Sequence, residues 1–100
     1  MYKRQERVYE DDKMIVIRDV APAAPVHVLM IPKAHTENII TAEPELLLYM
    51  FGKVKELAEK LGVNEKGFRI VANTGDDGGQ TVKHLHIHLL GGKALGWPPC

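Results

Sequence analysis

The feature that most constrains the fold of this chain is a segment in which histidine and aliphatic residues alternate strictly. His84, His86 and His88 are separated by Leu85 and Ile87. Side chains of a strand point alternately to its two faces, so the three imidazoles would share one face about 7 Å apart. A slip of one residue would drive them into the core, and burial of the aliphatic face therefore fixes the register. The pattern predicts a strand over residues 82–90.

The remainder of the chain predicts a single α+β domain over residues 1–100. Short runs rich in β-branched and aliphatic residues predict four more strands, at residues 8–10, 14–17, 26–31 and 68–72. Apolar residues three and four apart over residues 46–61 predict one long amphipathic helix. Thr41 is its expected N-cap, and Gly62 suits the left-handed position after its end. Five strands around one inserted helix predict a mainly antiparallel sheet.

Composition excludes several classes of function. Thirteen Lys and Arg balance thirteen Asp and Glu, whereas non-specific nucleic-acid binding needs a basic excess. No apolar run approaches the ~18 residues of a membrane span, and the charged N-terminus does not resemble a signal peptide. The single cysteine, Cys100, forms no internal disulfide, which is typical of a reducing compartment. We therefore expect a cytoplasmic protein without nucleic-acid or membrane partners.

Two kinds of chemistry use several histidines, and spacing alone leaves both open. In the first, a His-x-His pair binds zinc, with His27 or His35 completing the site. Three successive same-face positions of a straight strand span roughly 13–14 Å, too far to converge on one ion with bonds of ~2.0–2.1 Å. In the second, a central imidazole is a nucleophile toward phosphorus and its neighbours donate protons. The geometry favours the second chemistry over a metal site.

A glycine-rich stretch, residues 73–81, precedes the histidines. Glycines allow backbone N–H groups to approach a phosphate closely, and Asn73, Gln80 and Thr81 add neutral donors. Such a stretch alone is typical of a plain hairpin connection. Beside the histidines it predicts a phosphate site.

Residues 78–90, Gly-Gly-Gln-Thr-Val-Lys-His-Leu-His-Ile-His-Leu-Leu, resemble the histidine-triad signature, in which three histidines alternate with apolar residues. The resemblance covers residues 8–99, and residues 18–27, 31–35 and the Gly-Gly…Trp-Pro-Pro end resemble the nucleotide-binding (Hint) branch of this superfamily. It implies a homodimer whose two sheets join into one. It also implies hydrolysis of purine nucleoside 5′-phosphoramidates, of the AMP or GMP type, without a cofactor.

The resemblance also assigns roles by position. His86 is the implied nucleophile, attacking the α-phosphorus to give a nucleotidyl-histidine that water then resolves. His84 and His88 flank it and contact phosphate oxygens, while His27 supports them. The implied nucleotide-binding positions are Asp19 for the ribose hydroxyls, Ile17, Val20 and Leu29 near the base, Asn73, Gly79, Gln80 and Thr81 around the phosphate and leaving group, and Trp97 toward the partner's site.

The chain departs from the family pattern at three places. We expect the helix that family members carry before the first strand to be missing, Thr81 stands where serine is common, and Cys100 replaces a terminal glycine. Two other functions remain open. One is hydrolysis of dinucleoside polyphosphates by a branch that shares the Gln-Thr-Val-Lys-His approach, although the Trp-Pro-Pro end favours the Hint branch. The other is a nucleotide-binding scaffold with incidental catalysis.

Overall fold

An antiparallel sheet of five strands organises the protein. The computed structural model describes residues 7–96. Its elements are β1 (Arg7–Glu10), β2 (Met14–Arg18), β3 (Val26–Pro32), α1 (Pro44–Gly52), α2 (Val54–Leu61), β4 (Phe68–Val71) and β5 (Ile87–Gly91). The strand order is β1-β2-β3-β5-β4 and every neighbouring pair is antiparallel. The predicted fold class is confirmed. The expectations for a preceding helix, Trp97 and Cys100 concern residues outside the described range.

One face of the sheet packs against the two helices and forms the core. The core contains alternate residues of three strands together with helical residues: Met14, Val16, Val28, Met30, Ile87, Leu89, Met50, Leu57 and Ala58. Burial of each large aliphatic side chain contributes about 1.5–3 kcal/mol, which fixes the register of the strands. Leu29 pairs with Ile17 on one side and with His88 on the other. Directly paired residues share a face, so these three lie on the sheet face opposite the helices.

The predicted single helix is interrupted at Lys53. α1 ends at Gly52, a residue that weakens helix interiors, and α2 resumes at Val54. The prediction of Thr41 as N-cap was wrong: α1 begins at Pro44, whose fixed φ suits a first helical residue, while the Thr41 hydroxyl accepts N–H groups of the preceding turn. Gly62 ends α2 at φ 76°, as predicted. None of the helices within residues 7–96 has the length and apolar character of a membrane span.

The predicted strand over residues 82–90 is shorter than the alternation indicated. Half-buried and buried residues alternate from His84 to Leu90, but β5 begins only at Ile87. In the register that pairs Met30 with Ile87, the next position on β3 that would extend the ladder toward Leu85 is Pro32, which has no N–H to donate. The Leu85 N–H instead donates to the carbonyl of Thr36 at 2.7 Å. His84 and His86 therefore lie in an irregular segment ahead of the strand.

Candidate active site

A chain of hydrogen bonds runs from the β2–β3 loop to β5. The backbone N–H of Ala23 donates to Nδ1 of His27 at 3.0 Å, and Nε2 of His27 lies 2.9 Å from Nδ1 of His88. Because Nδ1 of His27 accepts a backbone N–H, the neutral ring has its proton on Nε2 and donates it to His88. Neutral His88 then has its own proton on Nε2. One backbone amide thus determines the tautomers of two histidines.

The environment of His88 favours its neutral form. Burial lowers the pKa of His88, the neighbouring rings of His86 and His27 lower it further, and the Asp19 carboxylate opposes them. The ring centroid of His88 lies 5.1 Å from that of His86 and 5.1 Å from that of His27. At neutral pH the Nε2–H of His88 is therefore a neutral hydrogen-bond donor beside His86.

His86 has the opposite tautomer. Its Nδ1 lies 2.9 Å from the backbone carbonyl of His84. A carbonyl only accepts, so Nδ1 carries the proton and the lone pair of neutral His86 is on Nε2. An imidazole with an unprotonated nitrogen and a fixed tautomer is a competent nucleophile toward phosphorus.

The ring of His84 lies outside the cluster formed by the rings of His27, His86 and His88. Its Nε2–H donates to the carbonyl of Pro32 at 2.9 Å, and its ring packs edge-on against His35 with centroids 5.3 Å apart. The expected row of three imidazoles on one strand face is therefore corrected, since the three do not all lie on a strand. His86 and His88 pack with His27, whereas His84 packs with exposed His35, which the sequence offered only as a ligand of a zinc site.

Asp19 lies at the loop end of the cluster. Its Oδ2 is 3.5 Å from Nε2 of His27, its Oδ1 accepts the N–H of Ala21 at 2.8 Å, and its own N–H donates to the His27 carbonyl at 3.0 Å. The carboxylate is thus held against His27 while a fifth of the side chain remains exposed.

Asp19, His27 and His88 are close enough to hold a divalent cation, with ligand atoms all within 4.8 Å of one another. The positions of the protons on the histidine ring nitrogens argue against a metal site here. A metal on Nε2 of His27 would move the proton of that ring to Nδ1, where it would face the N–H of Ala23, and the two donors would repel. The hydrogen bonding of the cluster therefore suits proton positioning better than metal ligation.

The three expected base contacts occupy different environments. Leu29 is half-buried beside His88, its partner on β5. Ile17 is fully buried on the same face, where it is the β2 partner of Leu29. Val20 is 77% exposed. Leu29 and Val20 are the two that present apolar surface.

The glycine-rich loop is closed by its own hydrogen bonds. The N–H groups of Gly75, Gly79 and Gln80 all donate to acceptors within the loop, and the contact of the loop with a phosphate stays a prediction. Asn73 is held likewise, because its Nδ2 donates to the Gly78 carbonyl at 2.6 Å. Gly75 and Gly79 have φ of 72° and 77°, a conformation that favours glycine.

The side chain of Gln80 supports this loop from within, and its contact with a nucleotide stays a prediction. The residue is buried, and its Oε1 accepts from Asn38 Nδ2 at 3.2 Å and from Gly75 N at 2.9 Å. Its Nε2 donates to the carbonyls of Glu37 at 2.6 Å and Val82 at 3.1 Å. These four bonds use the whole capacity of the amide. Thr81, the next residue, is exposed.

Comparison with known proteins agrees with this architecture. The HIT domain family model matches residues 2–95. An uncharacterized HIT-like protein of Synechococcus elongatus is 56% identical over 95 residues, covering 92% of this chain and 82% of the relative. A HIT family hydrolase from Legionella pneumophila Philadelphia 1 superposes with a TM-score of 0.92 at 41% identity, covering 96% of this chain and 88% of that chain. A histidine triad nucleotide-binding protein from Candida albicans superposes with a TM-score of 0.80 at 29% identity, covering 94% of this chain and 74% of that chain.

Proposed function

Since this chain belongs to the HIT domain family, we propose that it hydrolyses purine nucleoside 5′-phosphoramidates through a nucleotidyl intermediate on His86. It has the fold of HIT family hydrolases and of a histidine triad nucleotide-binding protein. The observation that carries the proposal is the bond from His86 Nδ1–H to the His84 carbonyl at 2.9 Å, which leaves a lone pair on Nε2.

In the first step, Nε2 of His86 forms a bond to the α-phosphorus and the phosphorus–nitrogen bond breaks. The amine leaves with a proton taken from solvent. Positive charge develops on the imidazole, and the His84 carbonyl stabilises it because it already accepts the Nδ1–H. The Nε2–H of His88 donates to a phosphoryl oxygen, where negative charge develops in the transition state.

In the second step, water attacks the phosphorus of the nucleotidyl-histidine and loses a proton to solvent. The bond to Nε2 of His86 breaks, and the nucleoside monophosphate leaves. Two displacements thus replace a single step in which water attacks the phosphorus and expels a poor leaving group. The Asp19 carboxylate receives the ribose hydroxyls and the surface of Leu29 and Val20 receives the base.

The proposal includes a homodimer joined through the β4 edge. Among residues 7–96, β4 has a neighbouring strand on one side only. Phe68 on this strand is 37% exposed, and Leu48 and Phe51 of α1 are 76% and 44% exposed. Pairing of two β4 edges would satisfy their backbone groups and cover apolar surface. Light scattering should give twice the monomer mass, and Leu48→Asp combined with Phe51→Asp should give the monomer.

Intact-mass analysis after brief exposure to an AMP phosphoramidate tests the reaction class directly. An added nucleotidyl group that maps to His86 supports the proposal. Comparison of this substrate with a diadenosine polyphosphate then separates the two hydrolase branches. Faster turnover of the polyphosphate, or turnover without a histidine adduct, would contradict the assignment.

A further inference from the structure

A single hydrogen on His27 has two acceptors in reach. Nε2 of His27 lies 2.9 Å from Nδ1 of His88 and 3.5 Å from Oδ2 of Asp19. Ala23 N–H occupies the other ring nitrogen, so Nε2–H is the only donor of neutral His27. The carboxylate is charged and His88 is not, so Asp19 competes for this hydrogen even from the longer distance.

We propose that Asp19 is a positioning residue for the reaction: when ribose hydroxyls occupy its carboxylate, the Nε2–H of His27 is released wholly to His88. The ribose then governs the turnover rate of the enzyme as well as its affinity. This inference rests on the proposed function and specifies how the site distinguishes nucleotides that bear hydroxyls from those that do not.

The geometry supports a change of hydrogen-bond partner without movement of the loop. Asp19 is fixed by its Oδ1, which accepts the Ala21 N–H, and by its own N–H, which donates to the His27 carbonyl. The ribose hydroxyls are donors and draw the charge of the carboxylate away from His27. The Nε2–H of His27 then donates to His88 alone and orients its ring. The Nε2–H of His88 is in turn directed to the phosphoryl oxygen.

The charged and titratable groups that act on His88 are few. Within residues 7–96 they are His27, His86 and Asp19, of which only Asp19 favours the protonated form of His88. Substitution of Asp19 therefore has a signature at His88 that a purely structural role would not produce.

The kinetic test compares an AMP phosphoramidate with its 2′,3′-dideoxy analogue. For the wild-type enzyme, we expect removal of both hydroxyls to lower kcat by about two- to tenfold, the worth of one weakened hydrogen bond, in addition to raising KM. In Asp19→Asn, kcat should be the same for both substrates. Asp12→Asn removes the same charge from an exposed turn and should behave as wild type. Equal kcat for the two substrates in the wild-type enzyme overturns the inference. This comparison can be made without any variant.

A second measurement separates this inference from the proposed function. In the ligand-free protein, Asp19→Asn should shift the NMR titration of His88 to lower pH. Saturation with AMP should change the ¹⁵N shift of His88 Nδ1 more than saturation with 2′,3′-dideoxy-AMP. An unchanged His88 titration contradicts the contact between Asp19 and the histidines, whatever the protein hydrolyses. A shifted titration without AMP binding contradicts the proposed function, and with it the role of ribose.

Discussion

The backbone carbonyl of His84 holds the ring of His86 through its Nδ1–H at 2.9 Å. The nucleophile proposed for the reaction is thus oriented by the main chain two residues earlier, and not by another side chain. This contact is independent of the bonds that link His27 with His88. The two tautomers that the chemistry needs are therefore set separately.

Replacement of His86 by Ala should abolish hydrolysis while leaving nucleotide binding intact. Loss of a nucleophile lowers kcat by about 10⁴-fold or more, whereas the ring contributes little to ground-state affinity. Phosphoramidate turnover measures the first effect and calorimetric titration with AMP the second. Hydrolysis at the wild-type rate would refute the role of His86, and His35→Ala is the control at an exposed histidine.

Ala23→Pro should impair catalysis by removing one hydrogen. Proline has no N–H, so Nδ1 of His27 loses its donor and the ring is free to adopt the other tautomer, with which it no longer donates to His88. We expect kcat to fall about tenfold, and ¹⁵N shifts of the histidines should report the mixed tautomers. Ala23→Gly retains the N–H and serves as the matched control. Proton positions unchanged in Ala23→Pro would contradict this chain of bonds.

Gln80→Ala should reduce stability more than it reduces nucleotide affinity. Four bonds of a buried amide are lost, and their partners are left unsatisfied. We expect a loss of about 2–4 kcal/mol in the free energy of unfolding, measured by denaturant titration. Thr81→Ala, at the exposed neighbour, should change it little. A normal stability with abolished AMP binding would instead identify Gln80 as a ligand contact.

The stability of the protein should fall as pH is lowered below about 6.5, the ordinary pKa of histidine. Since the pKa of His88 is lowered in the folded protein, the unfolded chain binds more protons between the two values, and acid favours unfolding there. His88→Gln should flatten the dependence of the melting temperature on pH in this window. An equal slope in this variant would assign the effect to other groups.

The faces of the sheet were predictable from the sequence because the alternation of side chains along a strand is local. The residue at which β5 begins was not predictable, because it depends on Pro32 of a neighbouring strand. The helix stripe was recognised, but its interruption at Lys53 was missed although Gly52 was a signal for it.

The candidate site was predictable in its side chains and not in its backbone donors. The histidines and Asp19 stand out by residue type. The N–H of Ala23 cannot be recognised as important from the sequence, since every residue except proline has one. It acquires its role only when the loop folds back on His27. Asn38 was missed for a related reason: its bond to Gln80 joins segments 42 residues apart.

Because Gln80 closes the glycine-rich loop from within, the conformational entropy of these residues is lost when the chain folds and not when a nucleotide arrives. For the proposed nucleotide site, we therefore expect association to be limited by diffusion and orientation and not by closure of a flap.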